Sequence, residues 1–175
     1  MKKLWIYAFV AGIFTLQSCE TQKKITNVHP TFEQKAKHKE IKTPDDALAE
    51  LKAGNKRFLN DEHTKLDYKN QIAATKDDQH PHSLILSCLD SRVPPEIIFD
   101  QGIGEVFVAR VAGNIETNEI LGSMEFATKV KGTKLIVVMG HTKCGAVSGA
   151  IDDAKLGNLT GLVEQIKPVV AKDKD

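Results

Sequence analysis

Apolar and polar positions follow two kinds of pattern along residues 43–170. Three short apolar runs are separated by longer segments in which apolar residues recur every three or four positions. The runs are SLILS at residues 83–87, EVFVAR at residues 105–110 and KLIVVM at residues 134–139. Short apolar runs bounded by turn residues are typical of strands, and the recurring pattern is typical of helices. Strands that alternate with helices predict an α/β fold with a mainly parallel central sheet flanked by helices.

The boundaries of the predicted helices follow from capping residues and apolar stripes. The first helix is expected to begin after Thr43, which can cap it, with Pro44 at the first helical position. Further helical segments are expected at residues 67–76, 94–100, 116–131, from Cys144 onward, and 159–170 with an interruption at Pro168. The third strand is almost entirely apolar, which predicts that both of its faces are covered.

The first nineteen residues have the pattern of a lipoprotein signal peptide. Lys2 and Lys3 precede a mostly apolar run at residues 4–16, which is shorter than the roughly twenty residues that span a bilayer. The run ends in LQSC at residues 16–19, which resembles the lipobox of bacterial lipoproteins. The alternative is an ordinary secretory signal with a chance cysteine. We expect a protein of the bacterial cell envelope that faces the periplasm and is tethered to a membrane through lipid on Cys19.

Composition and charge define the remaining organisation. Residues 20–42 are polar and rich in lysine, with no sustained apolar period, which predicts a flexible tether. Residues 43–175 are expected to form the folded domain. The chain has 24 basic and 23 acidic side chains and a formal net charge of +1. This near-neutral balance gives no argument for a nucleic-acid partner, which a basic surface would attract.

Two polar segments carry the candidate chemistry. CLDSR at residues 88–92 follows the first strand, and HTKC at residues 141–144 follows the third strand. Since ligands of open α/β sheets gather beyond the carboxyl ends of the strands, both segments should lie at the same edge. Cys88, His141 and Cys144 then form a set of two thiols and one imidazole. Zinc favours such ligands, and three protein ligands with one open position define a catalytic zinc site.

The alternative for two cysteines in an exported protein is a disulfide bond between Cys88 and Cys144. Asp90 and Arg92 favour the metal site over this alternative, because a disulfide has no need of a neighbouring acid and base. A second alternative is a lipid-anchored binding or structural protein, in which the two cysteines are oxidised or hold a closed zinc site.

The two segments CLDSR and HTKCG resemble the paired signature of the β-class carbonic anhydrases. The resemblance extends to residues 43–58 and 79–114 and covers about residues 43–170. It implies that Zn²⁺ is bound by Cys88, His141 and Cys144. It also implies that Asp90 and Arg92 form the catalytic dyad of an enzyme that reversibly hydrates carbon dioxide to bicarbonate and a proton. In that family a zinc-bound hydroxide attacks carbon dioxide.

The same resemblance assigns two substrate-binding residues and an assembly. Gln79 matches a position whose amide contacts substrate, and Phe107 matches an aromatic residue of the carbon dioxide pocket. The family places both across a dimer interface from the zinc that they serve, so a homodimer or larger homo-oligomer is expected. Family members that bicarbonate switches off carry a tryptophan at the position of Ile85, which favours a permanently open site here.

Two further points of the resemblance bear on the activity. The family normally continues past the last helix with another strand and more helical sequence, so the domain is expected to be incomplete at its C-terminus. Similar folds with the same ligand set hydrolyse carbonyl sulfide or carbon disulfide. The matches at Gln79 and Phe107 favour carbon dioxide over these substrates.

Overall fold

The computed structural model describes residues 41–170. The helices are α1 (Pro44–Leu59), α2 (Tyr68–Thr75), α3 (Pro95–Ile98), α4 (Asn118–Glu125), α5 (Gly145–Ile151) and α6 (Gly157–Val170); the strands are β1 (Ser83–Ser87), β2 (Val106–Arg110) and β3 (Leu135–Met139). The predicted signal peptide, Cys19 and nearly all of the predicted tether lie outside these residues. Between residues 41 and 170, no helix is both long enough and apolar enough to cross a membrane.

The three strands form one parallel sheet in the order β2-β1-β3. All five residues of the central strand β1 are buried. In register, Ser87 at the end of β1 lies opposite Arg110 of β2 and Met139 of β3. The carboxyl ends of all three strands therefore meet at one edge of the sheet, and the predicted α/β fold with a parallel sheet is confirmed.

Helix α1 begins where the sequence predicts, because Thr43 and Asp46 form a capping box. The Thr43 hydroxyl accepts a hydrogen bond from the Asp46 amide at 3.1 Å. The Asp46 carboxylate in turn accepts one from the Thr43 amide at 3.1 Å. This reciprocal pair satisfies backbone donors that an α-helix leaves free at its first turn.

Helix α1 is joined to the end of α3 through the buried side chain of Asp100. The Arg57 guanidinium donates to this carboxylate at 2.5 Å, and the Thr64 hydroxyl donates to it at 2.6 Å. Burial raises the pKa of Asp100, but the hydrogen bonds from Thr64 and Arg57 outweigh burial and lower it below its usual value. The carboxylate thus stays charged and links α1 to the segment that leads into β2.

Two expectations about the C-terminal half are wrong. β3 is not covered on both faces by the described residues, because Ile136 and Val138 are 38% and 60% exposed. The reason is that, within residues 41–170, the face of β3 that carries these two residues is not buried by a packed element, while the other face is half-buried. Helix α6 is not interrupted at Pro168 but continues to Val170. Proline removes one backbone hydrogen bond, and two residues from the end of the helix this loss does not stop the turn.

The helix expected at residues 116–131 forms in two parts. Thr117 caps α4, and the last turn, Phe126–Val130, is a π-helix. Gly132 follows with a φ of +70°, a left-handed conformation that glycine adopts without a steric penalty. This turn leads the chain into β3.

Candidate metal centre

Three side chains converge at the carboxyl edge of the sheet. Cys88 is the first residue after β1, His141 follows β3, and Cys144 is the N-cap of α5. One ligand atom from each residue lies within 4.8 Å of the others. Both cysteines are buried, and the His141 side chain is 8% exposed. Strand order thus joins two segments that are about fifty positions apart in sequence.

The two sulfur atoms have the spacing of metal ligands. The Sγ atoms of Cys88 and Cys144 lie 3.9 Å apart, and both cysteines are free. Tetrahedral zinc with Zn–S bonds of about 2.3 Å requires its sulfurs to be about 3.8 Å apart. A disulfide would require about 2.05 Å. The arrangement therefore fits a shared metal ion, and the predicted alternative of a disulfide does not describe this structure.

The imidazole of His141 presents one ring nitrogen to the two sulfurs. Its Nδ1 atom donates a hydrogen bond to the Thr142 carbonyl at 2.9 Å, which leaves Nε2 as the unprotonated nitrogen of a neutral ring. Nε2 is buried and has no hydrogen-bond partner. A buried polar atom without a partner is costly, and a metal ion would satisfy its lone pair. The donor set therefore fits a metal that binds thiolate and imidazole.

Hydrogen bonds around Cys88 favour its thiolate form. Burial raises the pKa of this thiol, but the backbone amides of Asp90 and Gly113, together with His141, lower it to about 7. The Gly113 amide lies 3.4 Å from Sγ. Metals bind cysteine as the thiolate. The loop around Cys88 is therefore prepared for metal binding near neutral pH.

Asp90 and Arg92 form a bidentate ion pair beside the three candidate metal ligands. Arg92 donates from Nε to one carboxylate oxygen at 2.9 Å and from Nη2 to the other at 2.8 Å. The Arg92 amide adds a third bond at 2.9 Å. The Arg92 guanidinium and amide hold the pKa of Asp90 well below its usual range. Asp90 Oδ2 lies 3.8 Å from the free Nε2 of His141, so a fixed carboxylate borders the candidate metal position.

Two residues of the centre were missed by the sequence analysis. Arg110, the last residue of β2, donates from Nε to the Cys88 carbonyl at 3.0 Å and from Nη2 to the Asp90 carbonyl. Gly113 donates its amide to the Cys88 sulfur. The position of Arg110 at the end of a parallel strand was the signal that could have identified it. Gly113 gave no such signal, because it acts through its backbone.

Gln79 and Phe107 are not brought to the centre of their own chain. Gln79 is exposed and precedes β1, so it lies toward the opposite edge of the sheet. Phe107 pairs with Leu84, which is four residues before Cys88. At about 3.3 Å per residue, Phe107 therefore lies about 13 Å along the strand direction from the level of Cys88.

Phe107 instead lines an open groove between β2 and α4. The groove has a volume of about 610 Å³. The ring of Phe126 forms its far wall, with the two ring centroids 6.3 Å apart and an edge-to-face geometry. Phe126 is 46% exposed, so the groove opens onto the surface of this chain.

The parallel sheet and the clustered ligands define an α/β protein with a candidate three-ligand metal centre. The sequence model of one family, carbonic anhydrase, matches residues 83–175, which is more than half of the chain. The chain therefore belongs to the carbonic anhydrase family.

Curated relatives are similar over most of this chain. Carbonic anhydrase 2 of Mycobacterium tuberculosis is 42% identical over 136 residues, which is 73% of this chain and 64% of that protein. The carbonic anhydrase of Mycolicibacterium smegmatis is 39% identical over 134 residues, which is 73% of this chain and 65% of that protein. The chain thus spans slightly less than two thirds of the length of these relatives.

Solved structures with the same fold are β-carbonic anhydrases. The Coccomyxa β-carbonic anhydrase in complex with acetazolamide has a TM-score of 0.56 and 28% identity, covering 71% of this chain and 58% of its own. One of two tetrameric β-carbonic anhydrases from Sordaria macrospora has a TM-score of 0.54 and 28% identity, covering 72% of this chain and 62% of its own. The fold of this chain is accordingly that of the β class.

Proposed function

We propose that this protein is a zinc-dependent carbonic anhydrase that reversibly hydrates carbon dioxide to bicarbonate and a proton. The observation that carries the proposal is the convergence of two thiols and one unpartnered imidazole nitrogen beside a fixed Asp–Arg pair. A closed structural zinc site would have four protein ligands and no need of that pair. Family membership supports the same activity, although the chain spans only 64% of the M. tuberculosis relative.

Cys88, His141 and Cys144 would hold the zinc ion. Zinc with three such ligands supplies a nucleophilic hydroxide at neutral pH, because the ion lowers the pKa of water to about 7. The protein provides two sulfurs and one imidazole nitrogen, with both cysteines buried and the His141 side chain 8% exposed. The Thr142 carbonyl fixes the tautomer of His141, as second partners of metal-binding histidines commonly do.

Asp90 would accept a hydrogen bond from the attacking hydroxide and so orient its lone pair toward carbon dioxide. Its carboxylate is suited to this task because Arg92 fixes both oxygens and keeps the group ionised. The Asp90 side chain is 19% exposed, and that of Arg92 is 61% exposed, so the pair faces the opening of the site. Arg92 acts through Asp90 and is a positioning residue.

Asp90 would leave the zinc position open to substrate. Each carboxylate oxygen is already bonded to Arg92, so a move onto the metal would break two charge-assisted hydrogen bonds. Ile85, at the position of the switch tryptophan, is fully buried within β1 and presents no surface for such regulation. We expect hydration activity near pH 7 to persist when bicarbonate is added, and a sharp loss on its addition would contradict an open site.

The proposed function is tested with purified full chain. We expect one zinc per chain by metal analysis, two reactive thiols from Cys88 and Cys144 after zinc removal, and carbon dioxide hydration that a chelator abolishes and zinc restores. Cys144→Ser should lose zinc and activity together. Stoichiometric zinc without hydration would instead support a binding protein, and a disulfide between the two cysteines would contradict any zinc site here.

Gln79 and Phe107 would serve the zinc of a second copy rather than their own. The distance of about 13 Å along the strands and the groove that opens to the surface support this arrangement. We therefore propose a homodimer or larger homo-oligomer as the active form.

Cys19 would carry the lipid that anchors the protein to a membrane of the cell envelope, on the periplasmic side. The support is the sequence alone, where LQSC follows a positively charged start and an apolar run. Metabolic labelling with a fatty acid should mark the wild-type chain and not Cys19→Ala. Equal labelling of both chains would contradict the anchor.

A further inference from the structure

Arg110 joins the end of β2 to the loop that carries both Cys88 and Asp90. Its Nε atom donates to the Cys88 carbonyl at 3.0 Å, and its Nη2 atom donates to the Asp90 carbonyl. The guanidinium thus spans the backbone on both sides of Leu89. One planar group contacts the residue that supplies a candidate metal ligand and the residue whose carboxylate would orient the nucleophile.

The loop between these two carbonyls has little packing of its own. Leu89 is 59% exposed, and the segment has just left the buried strand β1. Among the described residues, two other hydrogen bonds join this loop to the segment that follows β2. The Leu89 amide donates to the Val111 carbonyl at 3.2 Å, and the Gly113 amide donates to the Cys88 sulfur. Exposed loops with few apolar contacts open locally at low cost in free energy. Hydrogen bonds to backbone carbonyls must therefore supply much of the order in this loop.

Arginine suits this task better than any other side chain. Its guanidinium carries five donors in a rigid plane, so two bonds from one group fix both distance and orientation. Arg92 already saturates the Asp90 carboxylate, so Arg110 acts on the backbone of Asp90 and not on its side chain. The two arginines thus fix different parts of the same residue.

We propose that Arg110 is a positioning residue that fixes the Cys88 sulfur and the Asp90 carboxylate relative to each other at the metal centre. The inference rests on the proposed function only in taking the bound metal to be zinc. Without Arg110, the Cys88 carbonyl would keep only the Ser87 hydroxyl at 3.4 Å, and the Asp90 carbonyl would keep only the Val93 amide at 3.2 Å. The sulfur and the carboxylate would then be held less firmly relative to each other. Substitution of Arg110 should therefore change metal affinity and ligand geometry while the protein remains folded.

The test compares Arg110→Met and Arg110→Lys with a matched control, Arg57→Met, in the full chain. Arg57 likewise makes two guanidinium hydrogen bonds, but it lies on α1 away from the metal centre and its partners are the carboxylates of Asp100 and Glu50. Zinc dissociation constants are measured by chelator competition, the absorption spectrum is recorded with Co²⁺ in place of zinc, and the unfolding midpoint is measured in urea.

We expect Arg110→Met to weaken zinc binding about 10- to 100-fold, as loss of groups behind metal ligands commonly does. The thiolate–cobalt and ligand-field bands should shift at the same time. Arg110→Lys should also weaken binding, because one ammonium cannot hold both carbonyls in a fixed plane. Arg57→Met should lower the unfolding midpoint without changing the dissociation constant or the cobalt spectrum.

Three results would overturn the inference. One is a folded Arg110→Met protein with wild-type zinc affinity and an unchanged cobalt spectrum. Another is an Arg57→Met protein that loses zinc affinity to the same extent, since the effect would then be general destabilisation. The third is a wild-type chain that binds no zinc, which overturns the proposed function as well. Zinc binding without carbon dioxide hydration would contradict only the proposed function, because metal affinity and the cobalt spectrum still report on Arg110.

Discussion

At the scale of single residues, the chemistry depends on the Asp90 carboxylate. Asp90→Asn replaces one acceptor oxygen with an NH₂ donor, which weakens hydrogen-bond acceptance from the nucleophile and removes one of the two bonds from the Arg92 guanidinium. The three metal ligands are unchanged, so zinc content should stay at one per chain. We expect the rate of carbon dioxide hydration at pH 8 to fall by a factor of about 10² to 10³, the usual range for loss of one preorganised hydrogen bond at the reacting group. Stopped-flow measurement with a pH indicator checks this expectation.

Asp61→Asn is the matched control for this substitution. Asp61 is almost fully exposed, and its φ of +58° is a conformation that asparagine tolerates well. The control should keep wild-type turnover. If Asp90→Asn hydrates carbon dioxide as fast as the control, Asp90 has no part in the reaction.

Residue types alone identified the candidate ligands but not the groups that hold them. Cys88, His141 and Cys144 are recognisable because few chemistries use thiols and imidazoles together, and because each follows a strand. The contacts of Arg110 and Gly113 pass through backbone carbonyls, an amide and a sulfur. Such contacts depend on loop conformation, which hydrophobic periodicity does not encode.

At the scale of elements, helix α1 meets α3 through a glycine that has no room for a side chain. A Cβ atom on Gly54 would lie 1.8 Å from the Phe99 carbonyl oxygen. Because that oxygen belongs to the backbone, α1 would have to move away from it. We expect Gly54→Ala to destabilise the protein by about 1–3 kcal/mol, the usual cost of overpacking. Urea unfolding followed by circular dichroism measures this free energy.

Gly161→Ala is the control for Gly54→Ala. Gly161 also lies inside a helix, α6, and a Cβ atom there would meet nothing within 4 Å. Since alanine is favoured over glycine by about 1 kcal/mol in a helix interior, this variant should be slightly more stable than wild type. Equal effects at the two positions would show that the approach of α1 to α3 is not tight.

The same joint between α1 and α3 should make stability depend on pH. The pKa of Asp100 is lowered in the folded protein, so its contribution to stability is complete above the unfolded value near 4 and disappears as the pH falls through the folded pKa. At pH 7, Asp100→Asn should cost about 2 kcal/mol, because a buried carboxylate loses its charge-assisted bonds to Arg57 and Thr64. The difference from wild type should shrink below about pH 4.

Urea unfolding at pH 7 and in steps down to about pH 2.5 tests this dependence, because the folded pKa lies below the unfolded value. Asp61→Asn, with its exposed carboxylate, should differ little from wild type at each pH. A difference between Asp100→Asn and wild type that stays constant over this whole range would show that the charge of Asp100 does not stabilise the fold.

Helices and strands were predicted well where local sequence specifies them. The prediction was poor where packing against other elements determines the result. Thr43 caps α1 through its own side chain, as its place before Pro44 predicts, because local sequence specifies such a cap. Whether the apolar face of β3 is covered depends on what packs against it, so Ile136 and Val138 could not be placed from their own run. Likewise, the effect of a proline depends on its place in the helix. Only two residues of α6 follow Pro168, so the missing backbone hydrogen bond does not interrupt the helix.

At the scale of the whole molecule, apolar side chains remain at the surface along one helix and beside the groove. Leu121, Phe126 and Val130, in and after α4, are 44%, 46% and 67% exposed. Phe126 lines the groove together with Phe107. Exposed apolar side chains that gather in a patch mark interfaces in soluble proteins. It agrees with the proposal that a second copy covers this side of the chain and receives Phe107 at its metal centre.

Co-expression of two differently impaired chains tests this exchange of residues. Asp90→Asn impairs the metal centre of its own chain, and Phe107→Ala impairs the centre that Phe107 serves. In a mixed dimer with two-fold symmetry, the Phe107→Ala chain keeps its Asp90 and receives an intact Phe107 from its partner. One complete site therefore forms in each mixed dimer. Random pairing should recover about a quarter of wild-type activity, clearly above the mean of the two variants alone.

The control places both substitutions in one chain and co-expresses it with wild type. Its mixed dimers contain no complete site if Phe107 acts across the interface, because the wild-type centre then faces Ala and the other centre lacks Asp90. Wild-type homodimers alone should then give this control about a quarter of wild-type activity. If Phe107 serves its own chain, the wild-type centre of each mixed dimer stays complete and the outcome reverses: the control should reach about half of wild-type activity, and the two single variants should gain none. Reversal would contradict the shared site. Both mixtures contain the same two substitutions. The comparison thus depends only on whether the substitutions lie on one chain or on two different chains.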